Sequence, residues 1–152
     1  MRLNVVLNGL SRDLTGGPLS ILRFMNSMLK YTELGMRLIL IDGTGLGEEE
    51  FRAHAKKYPA LELLREKGLY VYNAYGVTVA VNPGDLFMAT LYYTAFTCDA
   101  TLRAYPALKN RNFVYFIQDF EPIFYPHNTG YVTALETYRL PHFGIYSTPF
   151  LQ

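Results

Sequence analysis

Apolar positions along the chain fall into short solid blocks separated by stretches of helical spacing. Leu3 to Leu10 is one such block and predicts a buried first strand. Leu19, Leu22, Met25, Met28 and Leu29 then recur at helical intervals, behind a Gly16-Gly17 turn and with Pro18 at a helix start. Met36 to Asp42 predicts a second buried strand. Gly47 to Tyr58 begins with acids and ends with bases, which suits a helix macrodipole, and Leu61 to Lys67 continues the helical region beyond Pro59. LYVYNA (69–74) and VTVAV (77–81) read as short strands. Leu86 to Thr90 predicts a strand, Thr97 to Leu108 a helix, Asn112 to Ile117 a strand, Tyr131 to Tyr138 a helix, and FGIYSTPF (143–150) a last strand.

Strands that are apolar throughout and alternate with helices are the mark of a mostly parallel sheet covered on both faces. The expectation is therefore an α/β fold, and 152 residues suit one domain. A chain of this size removes roughly two thirds of its unfolded surface from water. Half of the residues are apolar and 18% charged, which excludes a disordered chain. A net charge of +1 gives no broad attraction to nucleic acid, so none is expected as a partner. A single cysteine, Cys98, excludes an internal disulfide and a cysteine metal site, and it fits a reducing, cytoplasmic setting. The first apolar run is too short for a membrane span. The 13 Tyr and 10 Phe, with no Trp, supply rings either for the core or for the walls of a cleft.

Four groups of residues carry candidate chemistry. Gly16 and Gly17 lie between the first strand and first helix, where a helix N-terminus can face a phosphate. A plain tight turn is the alternative, and the full dinucleotide fingerprint is missing. DGTGLGEEE (42–50) has the look of a phosphate loop. It lacks the Lys-Ser/Thr pair, and its three glutamates would repel phosphate, so a flexible loop is the expectation. His54, His127 and His142 have no metal-ligand spacing, and no metal or cofactor is expected. The fourth group follows the strand at 112–117. Gln118, Asp119 and Glu121 leave its carboxyl end, where open α/β sheets place their ligands. They can accept hydrogen bonds from hydroxyls, and one carboxylate could serve as a base. Tyr115, Phe120, Phe124 and Tyr125 are candidates for stacking on sugar faces. The competing reading is a rigid loop whose acids cap the next helix or pair with Arg111 or Arg139.

The run NFVYFIQDFEPIFYPHNTGYVTALETYRLPHFGIYSTPFL (112–151) resembles the end of the N-terminal domain of GT-B glycosyltransferases. It looks most like that of the bacterial rhamnosyltransferases of glycosyltransferase family 4. The matching positions are Gln118, Asp119, Glu121, Pro122, Phe124, Tyr125 and Pro126, then Tyr131, Ala134, Thr137 and Tyr138. GGPLSILRFMNSML and GDLFMATLYYTAF are similar to the family's first turn and helix and to its acceptor-side strand.

The resemblance implies a Rossmann-like three-layer α/β/α domain over residues 1–152, one half of a GT-B fold. Its expected role is to bind the acceptor, with a nucleotide-sugar donor engaged only alongside a second domain that this sequence does not match. Gly16 and Gly17 would face the donor phosphates, while Gln118, Asp119, Glu121 and Tyr125 would hold a glycan acceptor or brace the loop. The implied reaction is sugar transfer, rhamnosyl in the family's case, onto a surface polysaccharide. It would take place in the cytoplasm or at the inner face of the membrane, and the chain alone would be inactive. A second polypeptide or a second copy would be the partner. A non-catalytic protein- or glycan-binding module, and more remotely a nucleotide-binding regulator of flavodoxin type, are the other expectations.

Overall fold

The computed structural model describes residues 1–14, 16–43 and 45–151. Thr15 of the first turn, Thr44 of the glycine-rich loop and Gln152 lie outside them. The chain forms two compact units, Met1–Asp85 and Leu86–Gln152. It has the Rossmann-like three-layer α/β class expected from the alternation of its elements, with six parallel strands and five α-helices among the described residues.

The first unit contains β1 (Arg2–Leu7), α1 (Gly16–Tyr31), β2 (Gly35–Leu40), α2 (Glu48–Ala55), α3 (Glu62–Lys67) and β3 (Leu69–Val71). β1 pairs in parallel with β2, Arg2 opposite Gly35 through Leu7 opposite Leu40, and β2 pairs with β3. β1 and β2 are buried along nearly their whole lengths, as solid apolar runs require. Against them α1 buries Ile21, Leu22 and Met25, one face of a 3.6-residue period.

Strand β1 stops at Leu7 instead of reaching Leu10. Leu10 instead forms a single parallel bridge with Gly45 and accepts a hydrogen bond from the Leu46 N–H at 2.8 Å. Gly45 has φ +93°, and a Cβ there would lie 2.1 Å from the Leu10 carbonyl oxygen. The glycine-rich loop is thus shaped by the close approach of two backbones. Gly47 precedes α2, and its N–H donates to Glu50 at 3.2 Å, so one of the three glutamates serves the helix start.

VTVAV is not a strand. Its residues are mostly exposed and carry no ladder, and the Ala80 carbonyl accepts from the Arg37 Nη1 at 2.9 Å. LYVYNA is a strand only to Val71, because Asn73 turns into the left-handed region at φ +53°. Below that segment lies a buried polar cluster. Arg2 Nη2 donates to Asp85 at 2.6 Å, Arg37 Nε to Asn4 at 2.6 Å, and the Asn82 N–H to Asp85 at 3.1 Å. Burial works against the Asp85 charge, but the Arg2 and Asn82 hydrogen bonds and the Arg2 charge outweigh it and hold the carboxyl below its usual range. Burial, then Arg2, lowers the Arg37 pKa.

The second unit takes in most of β4 (Asp85–Ala89), then α4 (Tyr92–Ala104), β5 (Phe113–Ile117), α5 (Thr129–Glu136) and β6 (His142–Tyr146). β4 pairs with β5 and β5 with β6, Phe113 opposite His142 through Ile117 opposite Tyr146. Helix α4 begins five residues before the expected Thr97. Buried Thr94 at its third position accepts from the Thr90 and Leu91 N–H groups, both at 2.9 Å, and Thr94, Ala95, Cys98 and Leu102 form its buried face. It ends at Ala104 because Tyr105 precedes Pro106 and is extended. β6 departs from the expectation of a sheet covered on both faces, since Phe143 is 65% exposed.

Asp85→Asn is expected to lower unfolding free energy by about 3–5 kcal/mol, because it strands buried guanidinium charge. Urea denaturation measures it. The folded pKa of Asp85 is depressed, so its contribution is present above about pH 3.9 and is lost as pH falls through the folded value. The variant lacks this acid-sensitive term. In a second series, Gly45→Ala should cost roughly 2 kcal/mol or more through its left-handed backbone and the Leu10 clash. Gly84→Ala, with open space around it and no positive φ, should stay within about 0.5 kcal/mol of wild type.

Candidate functional site

The chain leaves β5 through Gln118 and Asp119 and enters a single 3₁₀ turn, Glu121–Phe124, with Pro122 at its start. The residues singled out here by their types divide sharply in exposure. Asp119 is exposed, Gln118 and Tyr125 are half-buried, and Glu121 is only 7% exposed.

Both oxygens of Glu121 are engaged. Oε2 accepts from the Tyr92 N–H at 3.0 Å, at the first residue of α4, and Oε1 accepts from the Tyr115 hydroxyl at 3.0 Å. A helix N-terminus offers unpaired N–H groups and favours negative charge, so the carboxylate caps α4 from a distant loop. Burial is the largest influence on Glu121 and pushes its pKa up, against the two donors that favour the charged form. The Tyr115 hydroxyl also lies 3.4 Å from the Thr137 Oγ1, which in turn donates to the Ala134 carbonyl at 2.7 Å. Burial, followed by the Glu121 charge, raises the Tyr115 pKa.

Tyr115 was a candidate stacking residue, but it is fully buried and its ring is part of the core. The accessible rings lie around it. Tyr138 stacks on Tyr115 at 5.8 Å and on Phe120 at 5.7 Å, and its hydroxyl donates to the Asp119 carbonyl at 3.4 Å. Tyr125 meets Tyr92 edge-on at 5.6 Å, and Tyr92 meets Tyr93 edge-on at 4.9 Å. Asn128 caps α5 by accepting from the Gly130 N–H at 2.9 Å. A Cβ at Gly130 would come within 3.1 Å of the Tyr125 ring, so glycine there lets that ring sit against α5. The Gln118 carbonyl accepts from Ser147 Oγ at 3.0 Å, which ties the loop to the end of β6.

Tyr92 is not among the expected site residues, because the pattern places it before the helix that it in fact begins. The expected alternative, that the acids cap the next helix, does not hold: Asn128 caps α5, and Glu121 caps α4, which precedes it in the chain. Arg139 pairs with Glu136 at 2.7 Å. His127 packs on Tyr131 at 4.7 Å, and the His142 ring nitrogen Nδ1 contacts the Leu140 carbonyl at 2.7 Å. Among the described residues no three His, Cys, Asp or Glu side chains are grouped to hold a metal.

Gly16 and Gly17 belong to the first unit and open α1. Gly16 has φ +57° and a Cβ there would meet nothing within 4 Å, so backbone conformation alone calls for glycine. A hollow of about 330 Å³ lies past the end of β1, lined by Asn8, Gly9, Leu10, Ser11 and Gly45. Gly16 and Gly17 stand outside that lining. No helix among the described residues is long and apolar enough to cross a membrane.

Parallel strands alternating with helices define a Rossmann-like α/β protein. The family model described as "WsaF, N-terminal domain" matches residues 2–146, and the chain belongs to that family, a glycosyltransferase-associated domain. The chain matches no curated protein.

Glu121→Gln is expected to destabilise the protein by about 1–3 kcal/mol at neutral pH, since an amide cannot accept from both donors with both of its heavy atoms. Chemical denaturation gives the value. The folded pKa of Glu121 is raised, so the stability this adds is complete below about pH 4.3 and is lost as pH rises through the folded value. The deficit of the variant should therefore narrow as pH rises through that window. A deficit independent of pH would contradict the titration of Glu121.

Proposed function

We propose that this chain is the acceptor-binding domain of a GT-B glycosyltransferase that moves a sugar, rhamnosyl by resemblance, from a nucleotide-sugar onto a surface glycan. The observation that carries the reading is the family match over residues 2–146. The polar loop after β5, at the end of the strand where α/β folds engage ligands, supports it. In this reading Gln118 and Asp119 accept hydrogen bonds from acceptor hydroxyls, and Tyr125 offers a ring to a sugar face. Glu121 braces the loop and the start of α4. Gly16 and Gly17 face the donor diphosphate, whose leaving charge is taken by helix N-termini and basic side chains without a metal.

The nucleotide-sugar domain comes from a further segment or a second polypeptide, and the chain by itself is inactive. Its place of action is the cytoplasm or the inner membrane face. One observation favours a second reading, a non-catalytic protein- or glycan-binding module. Ile123, Phe124, Phe143 and Phe150 are 67%, 61%, 65% and 97% exposed, more apolar surface than an isolated surface needs.

The test compares variants in the glycosyltransferase assembled with its nucleotide-sugar domain. Asp119→Asn and Glu121→Gln should lower kcat/KM for the acceptor by about tenfold or more, the effect of losing one charged hydrogen bond. His54→Ala should leave it near wild type, and residues 1–152 alone should give no transfer. Equal activities across the three variants, or turnover by the isolated chain, would overturn the reading.

A further inference from the structure

Three tyrosines come together at the start of α4. Tyr92 and Tyr93 are its first two residues, and Tyr125 ends the turn that follows β5. The Tyr92 ring stands nearly perpendicular to both others, at 81° to Tyr93 and 79° to Tyr125. All three are half-buried, so each ring is held by packing yet reaches solvent. The corner is also built from beneath. Glu121 fixes the backbone of Tyr92, and Gly130 makes room for Tyr125. Rigid rings with polar tips lose little conformational freedom on binding, which is what a shallow sugar site needs.

Charge narrows the ligand further. Between Arg111 and Arg139 the chain carries no Lys or Arg, only the carboxylates of Asp119, Glu121 and Glu136, and α4 has no basic residue before Arg103. Arg103 is tied to Asp99 and to the Lys109 and Arg111 carbonyls, Arg139 to Glu136, and Lys109 and Arg111 precede β5, at the end of the strand away from the loop. An anionic sugar would meet the exposed Asp119 carboxylate on the loop that carries Tyr125.

We propose that Tyr92, Tyr93 and Tyr125 form a stacking platform for a neutral pyranoside of the acceptor glycan, and that this platform discriminates against uronic-acid sugars. The proposal rests on the acceptor-domain reading and adds its sugar class and two residues, Tyr92 and Tyr93. Glu121 acts through Tyr92 as a positioning residue.

The test is a heteronuclear NMR titration of the chain with a neutral rhamnose tetrasaccharide and with tetragalacturonate, at one ionic strength and up to about 10 mM. The neutral tetramer should shift the Tyr92, Tyr93 and Tyr125 signals and bind at least about fivefold more tightly than the acidic one. Tyr92→Ala and Tyr125→Ala should each weaken it by about fivefold, whereas Tyr92→Phe, which keeps the ring, should lose less than about threefold. Backbone spectra of each variant report whether it is folded. Neutral-sugar binding that survives both alanine variants would overturn the platform and leave acceptor binding standing. Tighter binding of tetragalacturonate would overturn the neutral-sugar assignment. No shift with either tetramer would overturn the platform, while the kinetic comparison of Asp119→Asn with His54→Ala judges the acceptor-domain reading on separate ground.

Discussion

A carboxylate removed from water has to be met by donors, and Glu121 meets two that come from different elements. One is the first N–H of α4 and the other is the hydroxyl of a tyrosine in the middle of β5. The same side chain therefore fixes where a helix begins, how a strand-end loop folds, and where the ring of Tyr92 stands. Tyr115 cannot be buried cheaply without an acceptor for its hydroxyl, and α4 cannot begin at Tyr92 without an acceptor for its amide. Glu121 answers both needs at once. Its neighbour Asp119, two residues earlier, is left exposed with a quite different task available to it.

This constraint also explains what could and could not be read from the residues. The alternation of strands and helices was legible because β1, β2 and β5 are buried on both sides and so are apolar at nearly every position. The start of α4 was not, because its cap lies 29 residues further along the chain. Locally the chain offers Leu91, two tyrosines and Thr94, whose hydroxyl accepts from the Leu91 N–H, but nothing for the Tyr92 amide. VTVAV misled for a related reason: it alternates like a strand, but the partner of its Ala80 carbonyl is an arginine side chain from β2. The glycines at 43–47 resembled a phosphate loop, and at Gly45 the real cause is the passage of the Leu10 backbone, again distant in sequence.

The loop after β5 was legible as a place and less so as a set of roles. Its position at a strand's carboxyl end followed from the fold class, and its polar residues stand out against the rings around them. Residue type could not separate Asp119 from Glu121, since both are carboxylates in one short run. What separates them is a turn of 3₁₀ helix opened by Pro122, which directs one side chain into the core and leaves its neighbour outside.

The absence of tryptophan from a chain with 13 tyrosines becomes physical in the same region. Tyrosine does two kinds of work there. Inside, Tyr115 fills core volume and supplies a donor to Glu121, which a phenylalanine would not do. Outside, Tyr92 and Tyr125 pair their rings edge-on and keep a hydroxyl at the solvent boundary. The two groups are joined through one carboxylate, so a change that loosens the buried tyrosine also frees the amide that orients the half-buried Tyr92. On the proposed reading, stability and ligand recognition are coupled at this corner by a shared acceptor. Substitutions at Glu121 should for that reason affect both.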